Sequence, residues 1–171
     1  MNLKEHIREI QDFPMEGILF RDITTLLKHP KALGYAMGGM IELAEELEFD
    51  AVLGPESRGF IFGIPVALGL GKGFVPVRKD GKLPANTGKK EYTLEYGKAI
   101  IEIHEDAIET GGRYVIVDDL LATGGTAKAA ADLVAEMGGI VVAHIFFIEL
   151  ASLKGRDILK DQDVRSLLVY N

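Results

Sequence analysis

The sequence predicts an α/β fold in which a mostly parallel, twisted sheet is flanked by helices. Short apolar segments rich in β-branched residues alternate along the chain with segments whose apolar residues recur at helical spacing. The clearest example is a strand at residues 114–117, followed by a small-residue turn and a helix pattern that runs to Met137. Strands that alternate with helices indicate a parallel sheet with right-handed crossovers.

The same patterns place the elements in order. Strands are expected at residues 51–53, 74–77, 92–96, 99–105, 114–117, 140–150 and 167–169. Helices are expected at residues 3–10, from Pro30 to about residue 47, at 60–68 in the core, after the turn at 122–126, and within 152–160. Residues 81–91 are expected to form a polar loop, and the two strands around Gly97 an antiparallel hairpin.

Length and composition describe a folded protein without a membrane segment. The chain has 171 residues and 47% apolar content, which fits a single domain with a sizeable core. No apolar run is long enough to span a membrane, and the first residues are too charged for a signal peptide. There is no cysteine, so neither a disulfide framework nor a thiolate metal site is expected. These features favour the cytoplasm.

Charge restricts the class of partner. A net charge of −7 argues against non-specific binding to nucleic acid. A polyphosphate substrate would need a local basic patch, and residues 72–90 contain six lysines and arginines against one carboxylate, Asp80.

The segment after the central strand predicts an anion site. Asp118 and Asp119 follow the strand, and then come Ala122, Thr123, Gly124, Gly125 and Thr126. A turn before a helix exposes backbone N–H groups to an anion, glycines allow close approach, and the threonines add hydroxyls that could also cap the helix. Carboxylates accept hydrogen bonds from sugar hydroxyls. Separately, the turn could be only a turn and the aspartates only caps, but together they describe a ribose 5-phosphate site.

Residues 115–126, Val-Ile-Val-Asp-Asp-Leu-Leu-Ala-Thr-Gly-Gly-Thr, resemble the phosphoribosyl-pyrophosphate (PRPP) signature of type I phosphoribosyltransferases. The form after the strand is similar to that of the adenine phosphoribosyltransferases. The resemblance implies the type I phosphoribosyltransferase fold, with an N-terminal hood at about 1–28, a core at about 29–171 and a flexible β-hairpin loop. It also implies that PRPP and AMP bind at Asp118, Asp119, Ala122, Thr123, Gly124, Gly125 and Thr126.

Two further segments match the family at its pyrophosphate site. Residues 56–59, Glu-Ser-Arg-Gly, follow a strand and precede a helix, where a surface arginine is the more frequent outcome. The resemblance implies instead a pyrophosphate loop at Glu56, Ser57 and Arg58, with a cis peptide between Glu56 and Ser57 and a catalytic role for Arg58. Residues 78–84 match a family motif that adds Arg78, Lys79 and Lys82 as pyrophosphate ligands; the motif alone could be a solvated turn.

The resemblance also assigns the base site. Glu95 alone indicates an exposed strand residue, but the family places this glutamate at the imidazole ring of the purine, where it can assist proton transfer as N9 becomes the nucleophile. Leu19, Phe20 and Arg21 correspond to the hood that binds adenine, and Leu150 to the opposite wall.

The resemblance therefore implies an enzyme that transfers the 5-phosphoribosyl group from PRPP to adenine, giving AMP and pyrophosphate. Mg²⁺ would be held mainly through PRPP, with no dedicated metal ligands, and the protein would be a cytoplasmic homodimer that binds neither nucleic acid nor membrane. Two alternatives remain open. One is a transferase for a 6-oxopurine. The other is a non-catalytic PRPP or nucleotide sensor that regulates transcription, for which the sequence offers no spare nucleic-acid-binding module.

Overall fold

The computed structural model describes residues 1–93 and 97–171, which divide into two compact units, Met1–Gly39 and Met40–Asn171. In the first unit, a 3₁₀ turn at Leu3–His6 precedes two antiparallel strands, β1 (Arg8–Gln11) and β2 (Leu19–Asp22). The helices α1 (Thr24–Leu27) and α2 (Pro30–Glu42) follow. The division of the chain into a hood and a core remains a prediction.

The helix expected at residues 3–10 is wrong. Only one 3₁₀ turn forms, and Arg8 begins a strand whose residue Ile10 pairs with Phe20. An ion pair between Arg8 and Asp22 joins the first residue of β1 to the last residue of β2. Helical spacing over so few residues is a weak signal, and strand pairing with a distant segment overrides it.

Helix α2 also ends earlier than expected, at Glu42 instead of about residue 47. The apolar spacing continues beyond Glu42, but the backbone forms tighter turns, since the Ala44 N–H donates to Ile41 O and the Leu47 N–H to Ala44 O. Periodicity alone does not distinguish these turns from a continuing helix.

The second unit contains a seven-stranded sheet of order β5-β6-β4-β3-β7-β8-β9. Its strands are β3 (Ala51–Pro55), β4 (Gly73–Lys79), β5 (Thr87–Thr93), β6 (Lys98–His104), β7 (Arg113–Leu121), β8 (Ile140–Leu150) and β9 (Val164–Tyr170). All neighbours from β4 to β9 are parallel, whereas β6 is antiparallel to both β4 and β5. Its helices are α3 (Arg58–Gly69), α4 (Gly125–Glu136) and α5 (Gly155–Ile158). The mostly parallel α/β sheet and its hairpin are confirmed.

Several strand boundaries differ from the sequence prediction. β5 begins at Thr87, inside the segment expected to be a polar loop, because this edge strand is polar and gives no apolar signal. β7 continues through both aspartates to Leu121 instead of ending at residue 117, and β9 begins at Val164 instead of 167.

The helices of the second unit pack on both faces of the sheet. Leu53 of β3 belongs to a buried cluster with Leu133 and Val134 of α4. The neighbouring Val52 lies on the other face, where a Cβ on Gly63 of α3 would lie 3.4 Å from its side chain. α3 is only half buried, contrary to expectation, since Ile61, Ile64 and Leu68 are exposed. No helix of the described ranges, 1–93 and 97–171, is long and apolar enough to cross a membrane.

The close packing of α3 predicts opposite effects for two glycine substitutions. A Cβ on Gly63 would lie 2.7 Å from the Phe74 ring, and a Cβ on Gly54 would lie equally close to the same ring, so the ring packs against both glycines. Gly63→Ala should therefore destabilise the protein by about 1–3 kcal/mol in urea unfolding. The control Gly34→Ala, in a helix with nothing within 4 Å of the added Cβ, should stabilise it by about 0.5–1 kcal/mol. A Gly63→Ala protein as stable as wild type would contradict this account of the packing.

Candidate active site

The carboxyl ends of β3 and β7 bring two loops together at one edge of the sheet. Gly59, in the first turn of α3, approaches the end of β7 so closely that a Cβ there would lie 3.0 Å from Asp118 Oδ1 and 3.1 Å from Val117 O. The Glu56 N–H donates to Val77 O of β4 at 2.9 Å, which fixes the start of the same loop. The edge at which open α/β sheets bind ligands thus carries the predicted pyrophosphate loop and the predicted PRPP loop side by side.

A cavity lies above the turn between β7 and α4. It is lined by Thr93, Asp118, Leu120, Leu121, Ala122, Thr123, Gly124, Gly125, Thr126, Ala127 and Phe146. The five turn residues predicted from the sequence therefore share one cavity with Asp118. Their backbone leads directly into a helix of 12 residues, whose N-terminal N–H groups and dipole favour an anion.

The packing of α5 requires glycine at position 124, which the sequence did not reveal. Its φ is +83°, and a Cβ would lie 2.6 Å from Ile158 and 2.7 Å from Gly155 O. A Cβ on Gly155 would in turn lie 2.3 Å from Ala122 O. Both glycines are needed so that α5 can pack against the turn, whereas Gly125 has ordinary space for a Cβ. Sequence reasoning missed Gly155, and no local pattern marks it.

Neither threonine of the turn caps α4, although the sequence left that role open to both. The N-cap is Gly124, and no side chain caps the helix. The Thr126 hydroxyl instead lies 3.2 Å from the Tyr92 hydroxyl of β5. The end of β5 therefore contacts the first turn of α4, a contact that the sequence did not predict.

The two aspartates have different surroundings. Asp118 lines the cavity, and its Oδ1 accepts the Asp119 N–H at 2.8 Å. Asp119 is only 6% exposed and forms an ion pair with Arg58, with 3.0 Å between Oδ2 and Nε. Burial and the neighbouring Asp119 charge hold the pKa of Asp118 well above its usual value. Burial also raises the pKa of Asp119, although the Arg58 charge opposes this shift.

Arg78 is held beside the loop between β3 and α3. Its guanidinium forms an ion pair with Glu56. Burial alone would raise the pKa of Glu56, but the hydrogen bond from Arg78 and the charges of Arg78 and Lys79 lower it below its usual value. The peptide between Glu56 and Ser57 is cis, as the resemblance implied.

The expected basic patch at residues 72–90 does not form one cluster. Lys72 lies over the Phe49 ring at 5.2 Å, and Lys90 pairs with Glu136 of α4. Lys89 lies 2.5 Å from Asp80, which offsets its charge. The exposed lysines at the turn after β4 are Lys79 and Lys82.

The residues predicted to bind adenine are divided between the units. Leu19, Phe20 and Arg21 lie on β2 of the first unit, where Arg21 pairs with Glu9 of β1. Phe20 contacts Phe13 edge to face at 5.0 Å. Leu150 is the last residue of β8 in the second unit. Glu95 lies outside the described residues.

A buried carboxylate beside the turn after β4 was also missed, although the sequence carries a signal for it. Glu102 is the single charge in the apolar run Ile-Ile-Glu-Ile of β6, and it is buried beneath the turn that carries Lys82. A lone carboxylate in a buried strand requires a polar partner, so the sequence could have indicated it.

The phosphoribosyl transferase domain model matches residues 22–167. Adenine phosphoribosyltransferase from Alkaliphilus oremlandii is 55% identical over 170 residues, which cover 99% of each chain. The crystal structure of adenine phosphoribosyltransferase from Thermoanaerobacter pseudethanolicus matches with a TM-score of 0.95 and 54% identity over 98% of each chain. That of the Saccharomyces cerevisiae protein, complexed with an imino-altritol bisphosphate and adenine, matches with a TM-score of 0.90 and 41% identity over 96% of each chain. This chain belongs to the phosphoribosyltransferase family and, within it, to the adenine phosphoribosyltransferases.

Proposed function

We propose that this chain transfers the 5-phosphoribosyl group from PRPP to adenine, giving AMP and pyrophosphate. The observation that carries the proposal is the cavity in which Asp118 and the turn 122–126 meet the N-terminus of α4. The turn offers N–H donors to a phosphate, and the carboxylate offers acceptors to ribose hydroxyls. The yeast relative is complexed with adenine and an imino-altritol bisphosphate, which supports adenine and a phosphorylated sugar as ligands of this chain.

The leaving group would be stabilised by cations of the loop after β3 and of the end of β4 and the turn that follows it. Arg58, Arg78, Lys79 and Lys82 are the proposed pyrophosphate ligands, together with the backbone of Glu56 and Ser57. As pyrophosphate departs, C1′ of ribose gains positive charge and the leaving oxygens gain negative charge. Fixed cations at that position stabilise the transition state more than the ground state.

We propose that Mg²⁺ accompanies PRPP, as is general in this family. The carboxylates of Asp118 and Asp119 are hard oxygen donors of the kind that suit this ion or its bound water. Because Mg²⁺ usually keeps several waters and binds through substrate phosphates, most of its ligands would come from PRPP. The ion would neutralise charge on the pyrophosphate.

The base site completes the proposal. Leu19 and Phe20 would form one apolar wall for adenine and Leu150 the other, while backbone groups near Leu19 and Arg21 would recognise the Watson–Crick edge. Glu95 would take or share the N9 proton as the base attacks C1′.

We further propose a cytoplasmic homodimer. Ile61, Ile64 and Leu68 recur at helical spacing along one exposed face of α3, and Leu68 is 75% exposed. An apolar stripe of this kind is typical of a surface that another protein covers. Sedimentation equilibrium of the wild-type chain tests the assembly, and a monomer mass would contradict it.

An assay with PRPP and Mg²⁺ against adenine, hypoxanthine and guanine tests the reaction. With adenine, we expect AMP and pyrophosphate in equal amounts. With the oxopurines, we expect rates lower by at least about 10²-fold. A site whose acceptors bind the amino group of adenine would leave those acceptors without a donor when the base carries an oxygen there. Efficient use of hypoxanthine would favour the 6-oxopurine transferase. Binding of PRPP without turnover of any base would favour the sensor.

Substitution of Asp118 is expected to raise the stability of the protein and to lower its activity. A carboxyl whose pKa is raised by folding makes the folded state less stable as pH rises from the usual pKa to the raised one, because the unfolded chain loses its proton first. Asp118→Asn removes this charge, so the melting temperature should rise relative to wild type. The gain should grow as pH increases through the raised pKa and then level off, while kcat/KM for PRPP falls. Melts from about pH 4 to 8 beside kinetics measure both effects. A variant that loses stability and keeps normal kinetics would indicate only a structural role.

The proposed role of Glu95 predicts that its substitution slows only the chemical step. Glu95→Gln keeps the size of the side chain but removes the base, so kcat should fall by about 10²–10⁴-fold while KM for PRPP changes little. Single-turnover measurements separate chemistry from product release. A rate of chemistry within about threefold of wild type would remove the catalytic role.

A further inference from the structure

Glu102 is a buried carboxylate that the proposed mechanism does not use. It lies on β6, in register with Arg78 of β4, and is only 1% exposed. A carboxylate in such a place is strongly unfavourable unless hydrogen bonds replace its water. The groups that donate hydrogen bonds to this carboxylate therefore indicate which part of the structure it stabilises.

The two closest partners are backbone groups of the turn that follows β4, and the other two are side chains of β5. Oε1 accepts the backbone N–H groups of Lys82 and Leu83, each at 2.8 Å. Oε2 accepts the Thr87 hydroxyl at 3.2 Å and lies 3.6 Å from Lys89 Nζ. Burial alone would raise the pKa of Glu102, but the bonds from Leu83 and Lys82 outweigh it and lower the pKa below its usual value. The side chain is therefore ionised at neutral pH, and its bonds to the turn are charge-assisted.

Backbone hydrogen bonds attach the same turn to β4 and β6. Within the turn, Lys82 N–H donates to Lys79 O at 3.2 Å, and Gly81 has a φ of +75°. Asp80 N–H donates to Ile100 O of β6 at 3.1 Å, so the turn is attached to the same strand that carries Glu102. The exposed side chains that project from this fixed backbone include Lys79 and Lys82.

We propose that Glu102 is a positioning residue that fixes the backbone of residues 81–83 and thereby sets the affinity of Lys79 and Lys82 for the pyrophosphate group of PRPP. The inference rests on the proposed function, which assigns pyrophosphate to these lysines. Cations held in place bind an anion more tightly than cations on a mobile loop, because less conformational freedom is lost on binding. A carboxylate can serve this purpose beneath a basic turn since its own charge is satisfied by backbone N–H groups.

The test compares two ligands by calorimetric titration of the full chain, magnesium pyrophosphate and ribose 5-phosphate. Glu102→Ala should raise the Kd for magnesium pyrophosphate about tenfold, as expected for loss of the charge-assisted bonds that order the turn. The Kd for ribose 5-phosphate should stay within about twofold, because that ligand would bind on β7 and α4. Glu102→Gln retains one carbonyl oxygen for the turn and should restore part of the pyrophosphate affinity. It also decides the question if the alanine variant does not fold.

Glu149→Gln is the matched control. Glu149 is also a buried carboxylate, at 5% exposure, but it binds Arg156 and Ser166 at the opposite side of the sheet. Glu149→Gln should leave pyrophosphate affinity unchanged even if it lowers the melting temperature as much as Glu102→Gln does. Any effect of this variant on binding should fall on ribose 5-phosphate, because Arg156 lies on α5 beside the turn 122–126. A Glu102 variant that binds pyrophosphate normally, or that loses both ligands equally, would overturn the inference in favour of a purely structural role.

Lys82→Ala separates this inference from the proposed function. An unchanged pyrophosphate Kd in Lys82→Ala would overturn the assignment of the turn to pyrophosphate, and the inference with it. A raised Kd in Lys82→Ala beside an unchanged Kd in Glu102→Ala would overturn the positioning role alone.

Discussion

Burial of the Asp118 and Asp119 carboxylates at the end of β7 is the electrostatic constraint around which the site is arranged. Arg58 is placed against Asp119, and Gly59 lets α3 approach within contact of Asp118. Even so, the pKa of both groups remains raised by their burial, so the ligand-free site stays electrostatically unfavourable. Hydroxyl donors and a cation carried by PRPP would relieve this, which is how strain at a site is commonly used for binding.

Carboxylates also hold the segments around the site in place. Glu56 holds Arg78, and Glu102 holds the turn at Lys82. At the other side, Glu149 forms a two-bond pair with Arg156, at 2.7 Å and 2.8 Å. Arg156 belongs to α5, which carries Gly155 against the turn 122–126. For Glu102 and Glu149 the acid is buried and its partner belongs to a turn or a short helix, so charge orders irregular backbone that has little apolar surface of its own. Glu56 differs, because it lies in the loop itself and its partner Arg78 lies on β4.

The sequence was sufficient wherever a local pattern determined the structure. The strand, turn and helix around residues 114–137 were predicted because buried parallel strands and amphipathic helices have distinct periods. The helix expected at residues 3–10 failed because strand pairing with residues 19–22 decided the outcome. β5 was placed too late because an edge strand of lysines and threonines resembles a loop. Such elements are decided by partners distant in the sequence.

In the site, too, local patterns predicted the residue types but not the contacts between distant segments. Its residue types were predicted from one contiguous motif and a family resemblance, yet the pair between Arg58 and Asp119 and the packing of Gly124 on Gly155 join separate segments. The charge count over residues 72–90 suggested one patch, whereas Lys72 and Lys90 have partners elsewhere. Spacing along the chain carries no information on such contacts.

The central claim is that the backbone of the turn 122–126 binds the phosphate of a ribose phosphate at the N-terminus of α4. Titration of the ¹⁵N-labelled protein with ribose 5-phosphate, followed by amide NMR spectra, tests it most directly. We expect the largest amide shift changes at Thr123, Gly124, Gly125 and Thr126, and we expect ribose without phosphate to leave these amides unchanged. Changes concentrated at residues 78–83, with the amides of the turn unaffected, would contradict it.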